Sequence, residues 1–363
     1  MPTLWFCIVA AMLAGYVILD GFDIGAGIIH LFVAQNDAER RSVLASIGPV
    51  WDGNEVWLVA AGGTLYFAFP QLYASSFSGF YLALMLVLWL LILRGISIEF
   101  RNHVQDQLWH GFWDVIFAGA SMLLAIFYGA ALGNVVRGVP IDSDGYFFLA
   151  LWTNLQPGPD AGIIDWYTVL VGLTAFASLT VHGSLWVAWK TEGDLQTRCR
   201  ALAHRFWLIL LPLVLLVSFA SFRVQPILGA SFESRPWGIV FPILSAAGLA
   251  GVSLFLKRQR DAGAFLSSCL FILGLLCSVA VGLYPNLLPS NVDPVRSLTV
   301  ANVSAPAYGL RVGLIWFLPA FALAFVLDVC LSALYGQVDR TPIISLVRRR
   351  AFWLQCAAGA SAR

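Results

Sequence analysis

Stretches of about twenty mostly apolar residues recur from one end of this chain to the other, and that repetition leaves it few ways to fold. A bilayer core about 30 Å thick takes about 20 apolar residues per spanning helix. A segment immersed there must satisfy its backbone polar groups internally, which selects helices over open strands. Such segments lie near residues 4–33, 53–69, 74–99, 112–136, 163–189, 205–225, 237–256, 263–284 and 308–335. Of the 363 residues, 60% are hydrophobic and 11% charged, against about 25% charged in soluble domains; the mean hydropathy is +0.81. The expectation is an all-α polytopic membrane protein with nine transmembrane helices. Residues 1–363 would form a single integral membrane domain, with no soluble domain left over.

Nine spans put the termini on opposite sides, and Lys and Arg should gather in the cytoplasmic loops. With the C-terminus inside, the inner segments hold every Lys and Arg except Arg137, Arg223, Arg235, Arg296 and Arg311. That distribution predicts an N-out, C-in topology. The first apolar run lacks a basic leader and is too long for a signal core, so it is expected to stay as a permanent helix. A weak echo between "FVAQNDAERRSVLA" after the first span and "WVAWKTEGDLQTRCRALA" after the fifth suggests two four-helix bundles plus one peripheral helix. The six cysteines form neither CxxC nor CxxCH, and a net charge of +1 argues against a nucleic-acid partner.

Two aspartates, Asp20 and Asp23, stand inside the first span. Each costs about 2.5–3.5 kcal/mol at mid-membrane on insertion scales, so both must face protein, water or a partner subunit. Three residues apart, they fall about 60° apart on one helix face, and Gly27 and His30 continue that stripe toward the inside end. Structural hydrogen bonding between helices would account for one such aspartate; two on a stripe leading to a histidine favour a proton or ion path. Gly21 and Gly25 add a small-residue face that admits a close neighbour.

A second acidic pair, Asp52 and Glu55, opens the second span within "GPVWDGNEVWL". A helix-start cap would also explain Asp52 but not Glu55. "LRGISIEFRNH" then places Arg94, Glu99 and Arg101 at the inside end of the third span, where they either compensate the carboxylates or snorkel to the interface. Asp328 is an isolated charge in the last span. Only His30 and His182 lie within spans, which is a thin supply of axial ligands for haem.

"DGFDIGAG", then "WDGNEVWL", "FPQLYASSFSGFY" and "RGISIEFR", in that order within the first hundred residues, closely resemble subunit II of the cytochrome bd family of quinol oxidases, including its cyanide-insensitive branch. The resemblance implies a heterodimer with a larger subunit I that carries haems of the b and d types and the quinol site, with room for small accessory subunits and a structural quinone. Nothing would be bound covalently to this chain. It implies residence in the bacterial cytoplasmic (inner) membrane, and a complex that oxidises quinol and reduces oxygen to water with protons from the cytoplasm. By motif position, Asp20, Asp23 and Asp52 would belong to the proton route, and Trp57 would lie near the approach of oxygen. Glu55 stands where some members have glutamine. The alternative is a proton-coupled secondary transporter, which would also use intramembrane carboxylates but usually shows broken midplane helices and a clearer repeat. A stand-alone haem b carrier is disfavoured by the scarcity of intramembrane histidines.

Overall fold

The computed structural model describes residues 1–338 of the chain. The side chain of Asp328 and the basic residues from Arg340 to Arg363 lie outside the described residues. Twelve α-helices follow in order: α1 (Pro2–Val33), α2 (Asp37–Ile47), α3 (Trp51–Ala68), α4 (Pro70–Gly79), α5 (Tyr81–Phe100), α6 (Gln107–Arg137), α7 (Trp166–Lys190), α8 (Gly193–Val224), α9 (Ile227–Ser234), α10 (Val240–Lys257), α11 (Asp261–Leu283) and α12 (Ala307–Val338). A short antiparallel ribbon pairs β1 (Asn286–Leu288) with β2 (Leu298–Thr299). Met1–Ala305 form one compact unit; a second begins at Pro306, and its described part is α12.

Seven helices among the described residues are long and apolar enough to cross a membrane: α1, α5, α6, α7, α8, α10 with the 3₁₀ turn before it, and α11. The remaining two predicted spans differ for physical reasons. The second corresponds to α3, whose 18 residues carry Asp52 and Glu55 and reach only about 27 Å at 1.5 Å per residue. In the last, only Ala307–Leu323 stands out as a shorter apolar helix. The predicted third span is not one helix. Pro70 starts α4 after a break at Phe69, and Phe80 separates α4 from α5. The predicted sixth span begins twelve residues early, at Gly193, because α8 opens with polar turns that hydropathy does not register. A helix that the hydropathy reading does not predict, α2, also forms between α1 and α3: Asn36 caps it by accepting from the Glu39 N–H at 3.0 Å, while the Glu39 carboxylate accepts from the Gln35 N–H at 2.7 Å.

Within the first unit α1 packs against α3, α6, α7 and α11. Its crossing with α7 is close because both helices lack side chains there. A Cβ on Gly25 would overlap the Leu179 carbonyl and the Gly183 backbone, and one on Gly183 would overlap Gly25 and Ala26. Gly25 thus acts as the expected small-residue contact.

Polar clasps hold the ends. On one side Arg137 is buried between Asp165, Asn134 and the Gly162 carbonyl, fixing the long loop that joins α6 to α7. Gly138, at φ +90, lets the chain turn against Pro289, and the Val139 N–H donates to the Pro289 carbonyl at 3.0 Å. On the other side Arg200 meets Asp261 through two bonds of 2.8 and 2.6 Å, joining α8 to α11. Asp261→Asn is expected to lower stability by about 1 kcal/mol, since this pair is partly solvated. Thermal unfolding at low and high salt checks it: the loss should shrink as salt rises.

Candidate functional site

Two charged clusters form around α1, at different depths. The first unites α1, α3 and α5. Asp20 and Asp23 are both fully buried, as is Arg94. One guanidinium nitrogen of Arg94, Nη2, lies 2.7 Å from Asp20 Oδ1 and 2.5 Å from Glu55 Oε1. Asn54 donates to Asp23 Oδ2 at 2.7 Å and to the Leu19 carbonyl at 3.3 Å. The Asp20 ion pair is close without being aligned as a hydrogen bond, and Asp23 Oδ1 is likewise buried without a hydrogen-bond partner. The site sets one cation among three carboxyl groups in an apolar interior, with acceptor oxygens of Asp20 and Asp23 left without a hydrogen bond.

Asp52 lies at the exposed end of this cluster, in the first turn of α3. The residue at the helix boundary is Val50, and no side chain caps the start, so Asp52 does not serve as the hydrogen-bonding cap that its sequence context suggested. Glu55 follows at three residues, its side chain 28% exposed, linking the exposed end to the buried one. Trp57 packs beside α1, its ring 3.1 Å from where a Cβ on Gly15 would stand.

The second cluster is organised by Asp114 on α6, which is 1% exposed. His30 Nε2 lies 2.7 Å from Asp114 Oδ1, Arg101 Nε donates to the same oxygen at 2.5 Å, and Arg40 Nη1 donates to Oδ2 at 3.0 Å. Arg101 also reaches Asp37 on α2 at 2.7 Å. That hydrogen bond holds the Asp37 carboxyl below the usual carboxylate range. His30 does continue the face of Asp20 and Asp23, but its partner is Asp114. Arg94 and Arg101 each meet a buried carboxylate. Glu99 is exposed instead, on the wall of a cavity of about 600 Å³ with Arg41, Trp51 and His103.

His30 and His182, the two histidines within predicted spans, each meet other groups of the bundle. His182 donates from Nε2 to the Ile18 carbonyl at 2.9 Å and faces the Ser268 hydroxyl with Nδ1 at 2.7 Å, while its ring stacks on Phe265. His30 meets Asp114 through Nε2. Among the described residues no three His, Cys, Asp or Glu side chains converge as a metal-ligand set.

The family model for cytochrome bd terminal oxidase subunit II matches residues 1–333. The chain belongs to this family. Subunit II relatives agree along nearly the full length: cytochrome bd-I ubiquinol oxidase subunit 2 of Escherichia coli (strain K12) is 30% identical, covering 94% of this chain and 96% of its own. Cytochrome bd ubiquinol oxidase subunit 2 of Bacillus subtilis (strain 168) is 30% identical over 85% and 88%. The fold matches a chain of the bd oxidase from Geobacillus thermodenitrificans with a TM-score of 0.65, at 18% identity over 97% and 98% of the two chains. This subunit II is thus a multi-pass protein of the bacterial inner membrane.

Asn54, Asp114 and Arg40 do not stand out in the sequence of this subunit II. Asn54 sits inside the quoted "WDGNE", and Asp114 is an acidic residue within the predicted fourth span, so an intramembrane-charge criterion applied evenly would have found it.

Proposed function

We propose that this chain is the supporting subunit of a cytochrome bd-type quinol oxidase, paired with a haem-bearing subunit I, and that its first acidic cluster carries cytoplasmic protons toward oxygen reduction. Haems of the b and d types, quinol as substrate, small accessory subunits and a structural quinone belong to the same proposal. So do the nine-helix count, the N-out, C-in orientation, the two four-helix bundles with a peripheral helix, and a single membrane domain over 1–363.

The observation that carries the reading is the placement of Asp20 and Glu55 on one buried guanidinium, with Asp23 held beside them by Asn54 and exposed Asp52 at the mouth. Asp52 collects a proton from water, Glu55 takes it past the helix start, and Asp20 and Asp23 hold it at depth. Arg94 keeps the collective charge low enough for the carboxyl groups to remain buried. In this scheme His30 and Arg101 work with Asp114 beside the route, and Trp57 lies by the approach of oxygen.

The chain expressed without a partner is expected to bind no haem and to show no oxidase activity, because only His30 and His182 lie within its predicted spans and each already meets a polar partner. A haem absorption spectrum of the purified chain checks this. A stoichiometric haem b signal would overturn the supporting role, and proton-coupled uptake by the chain alone would revive the transporter alternative.

A further inference from the structure

We propose that the cavity between α2 and the end of α5 seats a zwitterionic phospholipid, with the headgroup phosphate against Arg41 and a primary ammonium against Glu99. The cavity holds about 600 Å³, within the range of about 300–1,000 Å³ usual for small-molecule sites. Leu44, Ile98 and the Trp51 ring form its apolar wall, and Arg41, Glu99 and His103 its polar one. Its depth suits a lipid. α5 runs for 20 residues to Phe100, about 30 Å at 1.5 Å per residue, which is the thickness of a hydrocarbon core. Glu99 therefore stands where headgroups begin, a level that the amphipathic ring of Trp51 also favours. One face of α5 leads from Glu99 into the bilayer. Gly95 comes one turn earlier, covered by the Trp51 ring at 3.5 Å from where a Cβ would stand, and Ile92 and Leu88 beyond it are exposed. An acyl chain on that face is continuous with a headgroup in the cavity.

The polar wall carries both signs and leaves both open. The Glu99 backbone carbonyl accepts from His103 Nδ1 at 2.9 Å, while its carboxylate makes no hydrogen bond or ion pair among the described residues. Arg41 gives one nitrogen to Asp37 at 3.2 Å and its side chain is 59% exposed, so the rest of its guanidinium fork can take a phosphate. A headgroup of one sign would meet one of these groups repulsively. A phosphate alone is opposed by Glu99 and an amine alone by Arg41, whereas a phosphate and an ammonium on one short linker answer both. A primary ammonium also brings N–H donors to the Glu99 carboxylate; a quaternary one brings the charge without the donors. Both contacts lie at a solvated rim, so they select the headgroup while the apolar face supplies most of the hold.

The test uses the assembled complex, freed of lipid in detergent and titrated with short-chain phosphatidylethanolamine, phosphatidylcholine or phosphatidylglycerol, with bound lipid counted by native mass spectrometry. Phosphatidylethanolamine is expected to bind about fivefold more tightly than either of the others, the equivalent of one solvated ion pair. Glu99→Gln should erase its advantage over phosphatidylcholine and improve phosphatidylglycerol, and Arg41→Gln should weaken phosphatidylethanolamine about fivefold. Turnover per haem should stay that of the parent in both. Glu99 is exposed and unpaired, so its variant decides the matter if Arg41→Gln disturbs α2 through Asp37. Equal binding of the three lipids by the parent would overturn the proposal, and so would a preference that survives Glu99→Gln, which would place the lipid elsewhere on the complex. Tightest binding of phosphatidylglycerol would overturn it in favour of a simple anion seat. Absence of saturable binding would overturn it by showing the cavity closed to lipid in the complex.

Discussion

Replacing Arg94 with methionine is expected to destabilise the assembled complex by about 3–5 kcal/mol, the cost of leaving a buried charge without its partner. Methionine matches much of the arginine stem, so the loss reports the guanidinium and not a cavity. Arg94 is fully buried and is the cation against both Asp20 and Glu55. Thermal unfolding and the yield of haem-containing complex measure the effect. Adding Asp20→Asn should recover part of the lost stability, because the double variant removes the stranded carboxylate, while turnover should stay low. Stability equal to that of the parent in Arg94→Met would show that Asp20 does not depend on this partner.

The second large effect is kinetic. Asp52→Asn is expected to slow oxygen reduction about tenfold, or about 1.4 kcal/mol in the barrier, while weakening assembly little. Asparagine keeps the size and much of the hydrogen bonding of aspartate but cannot pass a proton. The geometry sharpens this test, since Asp52 is exposed in the first turn of α3 and makes no side-chain cap. Quinol oxidase turnover in complexes normalised for haem content decides it. Turnover near that of the parent across pH would mean that Asp52 is structural or bypassed by Glu55.

Much of the architecture is legible in the sequence because lipid imposes one strong rule, apolar length, and α1, α6, α7, α10 and α11 obey it closely. The rule fails where the chain leaves the bilayer or breaks within it. The polar opening of α8 and the whole of α2 are stabilised by side chains such as Arg198, which donates to the Val33 carbonyl at 2.7 Å and meets Glu39 at 2.5 Å; hydropathy carries no trace of such contacts. In the candidate site, the cost of burying charge is enough to single out Asp20 and Asp23 from their positions in the sequence, while Arg94 stands there beside Glu99 and Arg101 with nothing to separate the three. It does not say which cation answers which carboxylate. The division of partners between Arg94 and Arg101 depends on how α5 and α6 pack against α1, which is tertiary information. His30 shows the limit most clearly: the helical stripe through it is real, but a residue on α6 determines its partner.

The two clusters on α1 also bear on how the subunit is made. α1 is synthesised before α5 and α6, yet Asp20 and His30 find their partners in Arg94 on α5 and Asp114 on α6, more than seventy and more than eighty residues later, while Asp23 meets Asn54 on α3. Until those residues arrive, α1 is a poor guest for lipid, with each aspartate opposing insertion by about 2.5–3.5 kcal/mol. α1 therefore gains its ionic partners only once α5 and α6 have been synthesised, although its own residues come earlier.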